Sequence, residues 1–412
     1  MANVSSSNGL ENRPKLRFPG FDEPWKMLKA EELFQNITDK KHENEIVLTI
    51  VQGKGTLPRE KSGRNIHYDN ASLTSYKKVE KGDFIIHLRS FEGGLEMANG
   101  RGIVSPAYTI LRCIKPHSSL FYESYFHTDE FINHVLAKAV EGIRDGRQIS
   151  YDAFKWLSIP YCSVNEQVKI SNLFDILNKR IQKQRSLVEA LKKYKRGLSD
   201  ALFEVIAKNQ NVNEYRFEDI MELLQNNTFS RDELILEGDG IKNIHYGDIL
   251  IKYGASIDIH KDKIPVIKSD ISVKKYSFKS YLKNGDVVFA DTAEDYAVGK
   301  ATEIVNAEGH QILSGLHTIP CRPKKHFAPM FLGYYFNSSL YRTQIYPIVQ
   351  GTKVSSISKS EIVKTKIIVP PELMQKQIAS ILYAIDIRID AAEKQKEAFD
   401  NLRYGLLQQL FI

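Results

Sequence analysis

The chain is poor in the residues that covalent, metal or membrane chemistry needs. Only three cysteines occur in 412 residues, Cys113, Cys162 and Cys321, and no two share a metal-ligand or disulfide spacing. No apolar run approaches the roughly 18 residues of a spanning helix. The leading segment MANVSSSNGLENRPKLRF is polar and has no signal-like apolar stretch. The expectation is a cytoplasmic chain, kept reduced, with no membrane partner.

Enzyme signatures are missing in the same way. A nucleotide motor needs a phosphate-cradling loop that ends Gly-Lys-Ser/Thr; here Gly299-Lys300 is followed by Ala301, and Glu294 stands where the first glycine belongs. A base methyltransferase needs a polar residue, two prolines and an aromatic, whereas Pro370-Pro371 lies between Val369 and Glu372. Gln52-Gly53-Lys54-Gly55-Thr56 matches no phosphate loop and reads as a flexible basic loop. Asp39-Lys40-Lys41 fits only the loosest nuclease pattern. His127 and His134 lack a third ligand and read as surface or packing residues. The expectation is no catalytic residue, no metal and no cofactor on this chain, which points to a binding or scaffolding protein.

What is present is a long internal repeat. Gln167 to Phe203 and Gln375 to Phe411 match at a constant offset of 208, pairing Gln167 with Gln375, Arg180 with Arg388, Gly197-Leu198 with Gly405-Leu406, and Leu202-Phe203 with Leu410-Phe411. Such a duplication implies two similar halves. Each copy reads as one helix with a coiled-coil seam sustained for about five heptads. In the first copy the seam is Ile170, Phe174, Leu177, Ile181, Leu191, Leu198 and Leu202. In the second it is Ile378, Leu382, Ile385, Ile389, Phe399, Leu406 and Leu410. Polar side chains at Gln184, Lys195, Lys396 and Arg403 interrupt it.

The intervals before the helices also match in order. A Gly-Asp turn leads into an expected strand at Gly82-Asp83, Gly247-Asp248 and Gly285-Asp286. Ile103-Val104-Ser105 leads to Tyr108–Leu111, as Ile312-Leu313-Ser314 leads to His317-Thr318-Ile319, and a basic turn follows at Lys115-Pro116 and at Arg322–Lys325. A helix capped by Thr128 is expected to carry Phe131, Ile132, Val135, Leu136 and Val140 on one face, with counterparts near Met330–Phe336 and Ser338–Ile345. Polar Gly-centred loops, Asp145–Gln148 and Gln350–Lys353, then precede a short strand before each long helix. The expected domains are 1–158, a central helix at 159–208, a second domain at 209–368, and a C-terminal helix at 369–412. The fold class is α+β: two similar mixed domains separated by two long antiparallel helices, duplicated about a pseudo-twofold axis.

Several of these segments resemble the specificity subunits of type I restriction–modification enzymes. They are the helix signature itself, RPKLRFPGF (13–21) ahead of Trp25, RGIVSPAYTILR (101–112), EGIRDGRQISYD (141–152) and SGLHTIPCRPK (314–324). The first half departs at Ile159-Pro160-Tyr161-Cys162, which lacks the double proline of the second. The resemblance implies a non-catalytic subunit in which each domain is a target recognition domain for half of a split double-stranded DNA site. The helices would act as a ruler and as a dock for modification and restriction subunits. S-adenosylmethionine, ATP and magnesium would sit on those partners.

A net charge of +7 is compatible with DNA but modest for this length. Phosphate contacts should position each domain, while Arg, Lys, Asn or Gln side chains read base edges. The candidates in the first domain are Lys54, Arg59, Lys61, Arg64, Arg101, Arg144, Arg147 and Gln148. In the second they are Lys252, Lys274, Lys275, Lys300, Gln350, Thr352, Lys353 and Ser355. Two other readings stay open: a self-sufficient nuclease or methyltransferase with an unrecognised site, and a coiled-coil adaptor that never touches DNA.

Overall fold

The structure, a computed structural model, describes residues 14–61, 70–209, 212–236, 238–351 and 353–411. The chain divides into two compact units, Met1–Ser186 with Glu393–Ile412, and Leu187–Ala392. The candidates Arg64 and Thr352, and Arg13 of the N-terminal motif, lie outside the described residues.

In the first unit an antiparallel sheet runs in the order Phe34–Ile37, Thr109–Cys113, Phe84–Ile86, Glu96–Met97. Because side chains alternate across a strand, Phe84, Ile86 and Leu111 enter an aromatic core with Trp25, Phe121 and Tyr122. Ile85 and Ile110 enter a second core with Leu48, Val79 and Val104. The last residues of the chain complete the larger core. Leu407, Leu410 and Phe411 belong to it, and the Phe411 ring lies 5.2 Å from Phe121 and 6.0 Å from Phe174.

The second unit holds a five-stranded sheet in the order Met221–Leu223, Thr318–Pro323, Val287–Ala290, Ala301–Val305, Ser256–Asp258. All neighbours are antiparallel except the last pair. A four-stranded sheet stands beside it, with Lys242–Ile244 parallel to Ile312–Ser314. Phe203 and Ile206 of the first long helix join this unit's core with Phe331, Tyr335, Ile378 and Leu382.

Several local expectations need correction. Asp248–Tyr253 is not a strand; Tyr246–Ile251 is a short helix. The His245 ring accepts from the Gly247 N–H at its start, and Asp248 lies in its first turn, where a carboxylate favours the helix dipole. Ile249 is fully buried while Ile251 is 85% exposed, so the apolar run presents one helical face. The single helix expected from Thr128 to Val140 is a π-helix at Glu130–Val135 followed by a tight 3-10 turn at Leu136–Ala139. The buried residues there are Phe131, Leu136 and Ala139. A step of five between the first two suits a widened turn better than an α-helix. Thr128 still caps it, accepting from the Phe131 N–H at 3.1 Å. The basic turn expected at Arg322–Lys325 begins later, because Arg322 and Pro323 lie within the strand Thr318–Pro323.

The long helices span Val164–Lys208 and Glu372–Leu410, again starting 208 residues apart. Phe411 lies just past the second. The seam is buried at Ile170, Phe174, Leu177 and Ile181, and at Ile378, Leu382, Ile385 and Ile389. It is only half-buried at Leu191, Leu198, Leu202, Phe399 and Leu406. Toward each C-terminal end burial moves to Phe203 and Ile206, and to Leu407 and Leu410, because those turns pack on a globular core as well as on a neighbouring helix. Two of the four polar interruptions, Lys195 and Arg403, form matched pairs, while Lys396 Nζ donates to Asp400 of its own helix at 2.8 Å. In the first unit Arg403 Nε donates to Asn178 Oδ1 at 2.9 Å. In the second Lys195 Nζ meets Asp386 Oδ1 at 2.5 Å. The two pairs relate by the same offset of 208 (195 to 403, 178 to 386).

Candidate nucleic-acid interface

Each unit builds its site region on a duplicated anchor. Arg112 donates from Nε and Nη2 to the Asp83 carboxylate at 2.8 and 2.6 Å, and Arg322 does the same to Asp286 at 2.9 and 2.6 Å. Each aspartate also accepts a backbone N–H three residues earlier, from Glu80 at 2.8 Å and from Lys283 at 2.7 Å. The Gly-Asp turns therefore fix the edge from which the central strand starts. The repeated glutamine is the second anchor. Gln167 Oε1 accepts from the Ser118 N–H and its Nε2 donates to the Cys162 carbonyl, both at 2.9 Å. Gln375 does likewise with Ala328 and Pro370, again at 2.9 Å. In the first unit Arg17 (2.7 and 2.9 Å) and Trp25 (3.2 Å) both donate to the buried Glu166 at the head of the helix.

The polar loops are also built alike. Glu141 and Gln148 exchange backbone N–H···O bonds of 2.9 Å, closing a loop over Gly142 and Arg144, both at positive φ (85° and 51°). A Cβ on Gly142 would come within 2.4 Å of the Gly146 carbonyl, so only glycine fits. Gln350 and Ser356 exchange equivalent bonds of 2.9 and 2.8 Å over Gly351, whose φ is 102°. Ser355 and Ser356 then pair with Thr292–Ala293, which ties the second loop to the sheet region.

The candidates fall into three groups. Lys54, Lys61, Arg144, Arg147, Gln148, Lys274, Gln350 and Lys353 are exposed, and Ser355 is half-buried in its short strand. Of these, Arg147 is preset, its guanidinium 4.2 Å above the Phe91 ring. Lys275 similarly lies 5.2 Å from the Tyr276 ring and 5.7 Å from Phe229. The third group is engaged within the protein. Arg101 binds the Glu45 carboxylate, and Lys252 meets Asp248 at 2.9 Å. Lys300 donates to the Leu250 carbonyl at 3.1 Å, and Arg59 is half-buried in its 3-10 turn.

Two readings of individual residues change. The Gln52–Thr56 segment is not a flexible loop: Glu96 accepts from the Gly53 N–H at 2.6 Å and the Gly55 N–H at 2.8 Å, and Asn99 donates to the Lys54 carbonyl at 2.6 Å. His127 is a partner of that same carboxylate at 3.3 Å. Burial opposes the charged form of both groups. The hydrogen bond and mutual attraction outweigh it, so the imidazole is shifted up, and with the two glycine N–H groups they shift the Glu96 carboxyl down. Across the second unit's sheet, burial pushes Glu303 up to about 7 although the Gly333 and Met330 N–H groups hold it. Among the described residues no group of three or more His, Cys, Asp or Glu side chains is placed to hold a metal, and no helix is long and apolar enough to cross a membrane.

Residues 209–398 match the family model for the type I restriction modification DNA specificity domain. Over 186 residues the chain is 27% identical to the putative type I restriction enzyme MjaX specificity subunit of Methanocaldococcus jannaschii, a match covering 40% of this chain. It spans only 44% of that relative's length. The fold is similar to that of the type I restriction-modification system S subunit from M. genitalium, with a TM-score of 0.56 and 15% identity over 97% of this chain and 99% of that one. A chain solved in a study of complex assembly and conformational transition in a type I restriction–modification system gives a TM-score of 0.54 at 16% identity, over 96% of this chain and 99% of that one. Residues 209–398 thus match a type I restriction modification DNA specificity domain, and the chain as a whole is similar in sequence and in α+β fold to type I specificity subunits.

Proposed function

We propose that this chain reads a bipartite double-stranded DNA target, one half-site per recognition domain, and carries no catalytic residue itself. The observation that supports this most is the duplication of the Gly-hinged loops, closed in the same way at Glu141–Gln148 and Gln350–Ser356. Each places polar and basic side chains (Arg147 and Gln148; Gln350 and Lys353) at an exposed position fixed by backbone bonds. Phosphate contacts from the exposed lysines would position each domain, and the loop side chains would read base edges.

Modification and restriction subunits dock, in this reading, on the long helices. Supporting that, Ile176, Tyr194, Ile387 and Leu402 are 60%, 60%, 53% and 51% exposed, apolar side chains on helices whose other faces are already buried. S-adenosylmethionine would bind the modification subunits, and ATP with magnesium the motor-nuclease subunits. The test is tritiated methyl transfer to DNA by the isolated chain and by the chain co-purified with its modification partner. Transfer should require the partner; equal rates from the isolated chain would make it a self-sufficient methyltransferase instead.

A further inference from the structure

The second unit contains an open groove of about 640 Å³, in whose lining Lys300 is the one residue among the DNA-binding candidates. Its lining carries five basic side chains, Lys192, Lys195, Arg196, Lys300 and Arg342, against two acidic ones, Asp200 and Asp386. Asp386 is already engaged, by Lys195 at 2.5 Å and by the Tyr334 hydroxyl at 2.7 Å. Arg342 is held in place by the carbonyls of Tyr296 at 2.6 Å and Val298 at 2.9 Å. Arg196 is exposed, and no hydrogen bond or ion pair ties it to another described residue. The Lys300 ammonium is shifted below its ordinary range, first by burial and then by Lys195. Two tyrosines stand at the groove with accessible rings, Tyr296 at 89% exposure and Tyr346 at 52%.

The duplication supplies an internal control. Shifting Arg196, Ser199 and Asp200 by 208 gives Tyr404, Leu407 and Gln408, and these line a cavity of about 370 Å³ in the first unit. There the charged neighbours are Lys15, His127, Asp129 and Glu130, a near balance. The same place in the fold is thus formed twice, and only the second copy is strongly cationic. A requirement of the scaffold would mark both copies.

We propose that this groove is a phosphate-binding site, with the Arg196 guanidinium making the charge-assisted contact and Lys300 adding to the field. Clefts lined by one sign of charge concentrate counter-ions, and a planar guanidinium matches phosphate oxygens in a way a lysine cannot. The phosphate has two possible sources: the backbone of DNA held by the second unit, or a free nucleotide whose base stacks on Tyr296. Only the first source rests on the DNA-reading proposal above.

The test uses the full chain with its modification partner and two probes, a labelled duplex of random sequence and free ADP. Arg196→Glu should weaken one of them about tenfold or more at low salt, as expected for loss of a charged hydrogen bond. Arg196→Ala should lower the salt slope of duplex binding by about one if DNA is the source. Lys193→Glu makes the same charge change at an exposed position of the same helix outside the groove, and should cost less than about twofold. A response of the duplex alone assigns the site to DNA backbone; a response of ADP alone assigns it to a nucleotide. Equal effects of Arg196→Glu and Lys193→Glu, or no effect of Arg196→Glu on either probe, overturn the proposal. If methylation follows no bipartite motif while Arg196-dependent phosphate binding persists, the half-site reading fails and the groove stands.

Discussion

Removing the arginine from the two matched Arg–Asp anchors should damage the units unequally. Asp286 is 1% exposed and Arg322 22%, whereas Asp83 is 4% exposed and Arg112 38%. In Arg322→Ala the Asp286 carboxylate keeps only the Lys283 N–H and sits where water scarcely reaches. Breaking a buried pair costs about 3–5 kcal/mol; with Arg322 one-fifth exposed, the lower end, about 3 kcal/mol, applies. Arg112 is far more solvated, so Arg112→Ala falls between the buried and surface limits, about 1–2 kcal/mol. At roughly 2–4 °C per kcal/mol for a unit of this size, the midpoints should drop by about 6–12 °C and 2–8 °C respectively. Both tryptophans, Trp25 and Trp156, lie in the first unit, so tryptophan emission should follow Arg112→Ala and calorimetry should also register Arg322→Ala. If Arg112→Ala costs as much as Arg322→Ala, burial does not govern the strength of these anchors.

Inserting one heptad into each long helix, near Gln184 and Ala392, lengthens each by about 10 Å, some three base pairs; the recognised spacer should lengthen with both half-site sequences unchanged, as read by methylation sequencing. Arg147→Ala and Lys353→Ala should each weaken binding chiefly through one half-site, by about 1–3 kcal/mol for a base contact, a pattern read on DNA with one half scrambled at a time. The His127–Glu96 pair should make the first unit's stability depend on pH. Its raised imidazole contributes fully below about pH 6.5 and is lost as pH rises through the folded value; its depressed carboxyl contributes above about pH 4.3 and is lost as pH falls. The stability gap between the native chain and His127→Gln, measured by denaturant unfolding, should therefore be widest between those limits and shrink toward pH 9.

What the sequence made readable was what repeats or is local. The heptads announced both long helices because side-chain periodicity is a local property, and the offset of 208 paired residues such as Gln167 and Gln375 that turn out to make the same two bonds. The Gly-Asp turns were visible too, although at Asp248 the same dipeptide opens a helix because its aspartate serves the first turn and Arg231. Near Leu198 and Leu202 the seam is half-buried, with full burial passing to Phe203 and Ile206 where the helix also packs on a globular core. Ion pairing was invisible. Nothing local to Arg101 or Lys252 says that Glu45 or Asp248 will engage it, and nothing near Lys54 reveals the Glu96 carboxylate that fixes its turn. The groove around Arg196 is likewise assembled from segments distant in sequence.

The central claim is one half-site per recognition domain, and methylation sequencing tests it most directly. A host should express the modification partner with either the native chain or a chain whose residues 209–368 are replaced by the corresponding domain of a related subunit. The account predicts a bipartite adenine-methylated motif for the native chain, and for the hybrid a motif in which one half-site is exchanged while the other and the spacer are retained. A motif in which both halves change, or a single undivided motif from an active complex, would contradict it.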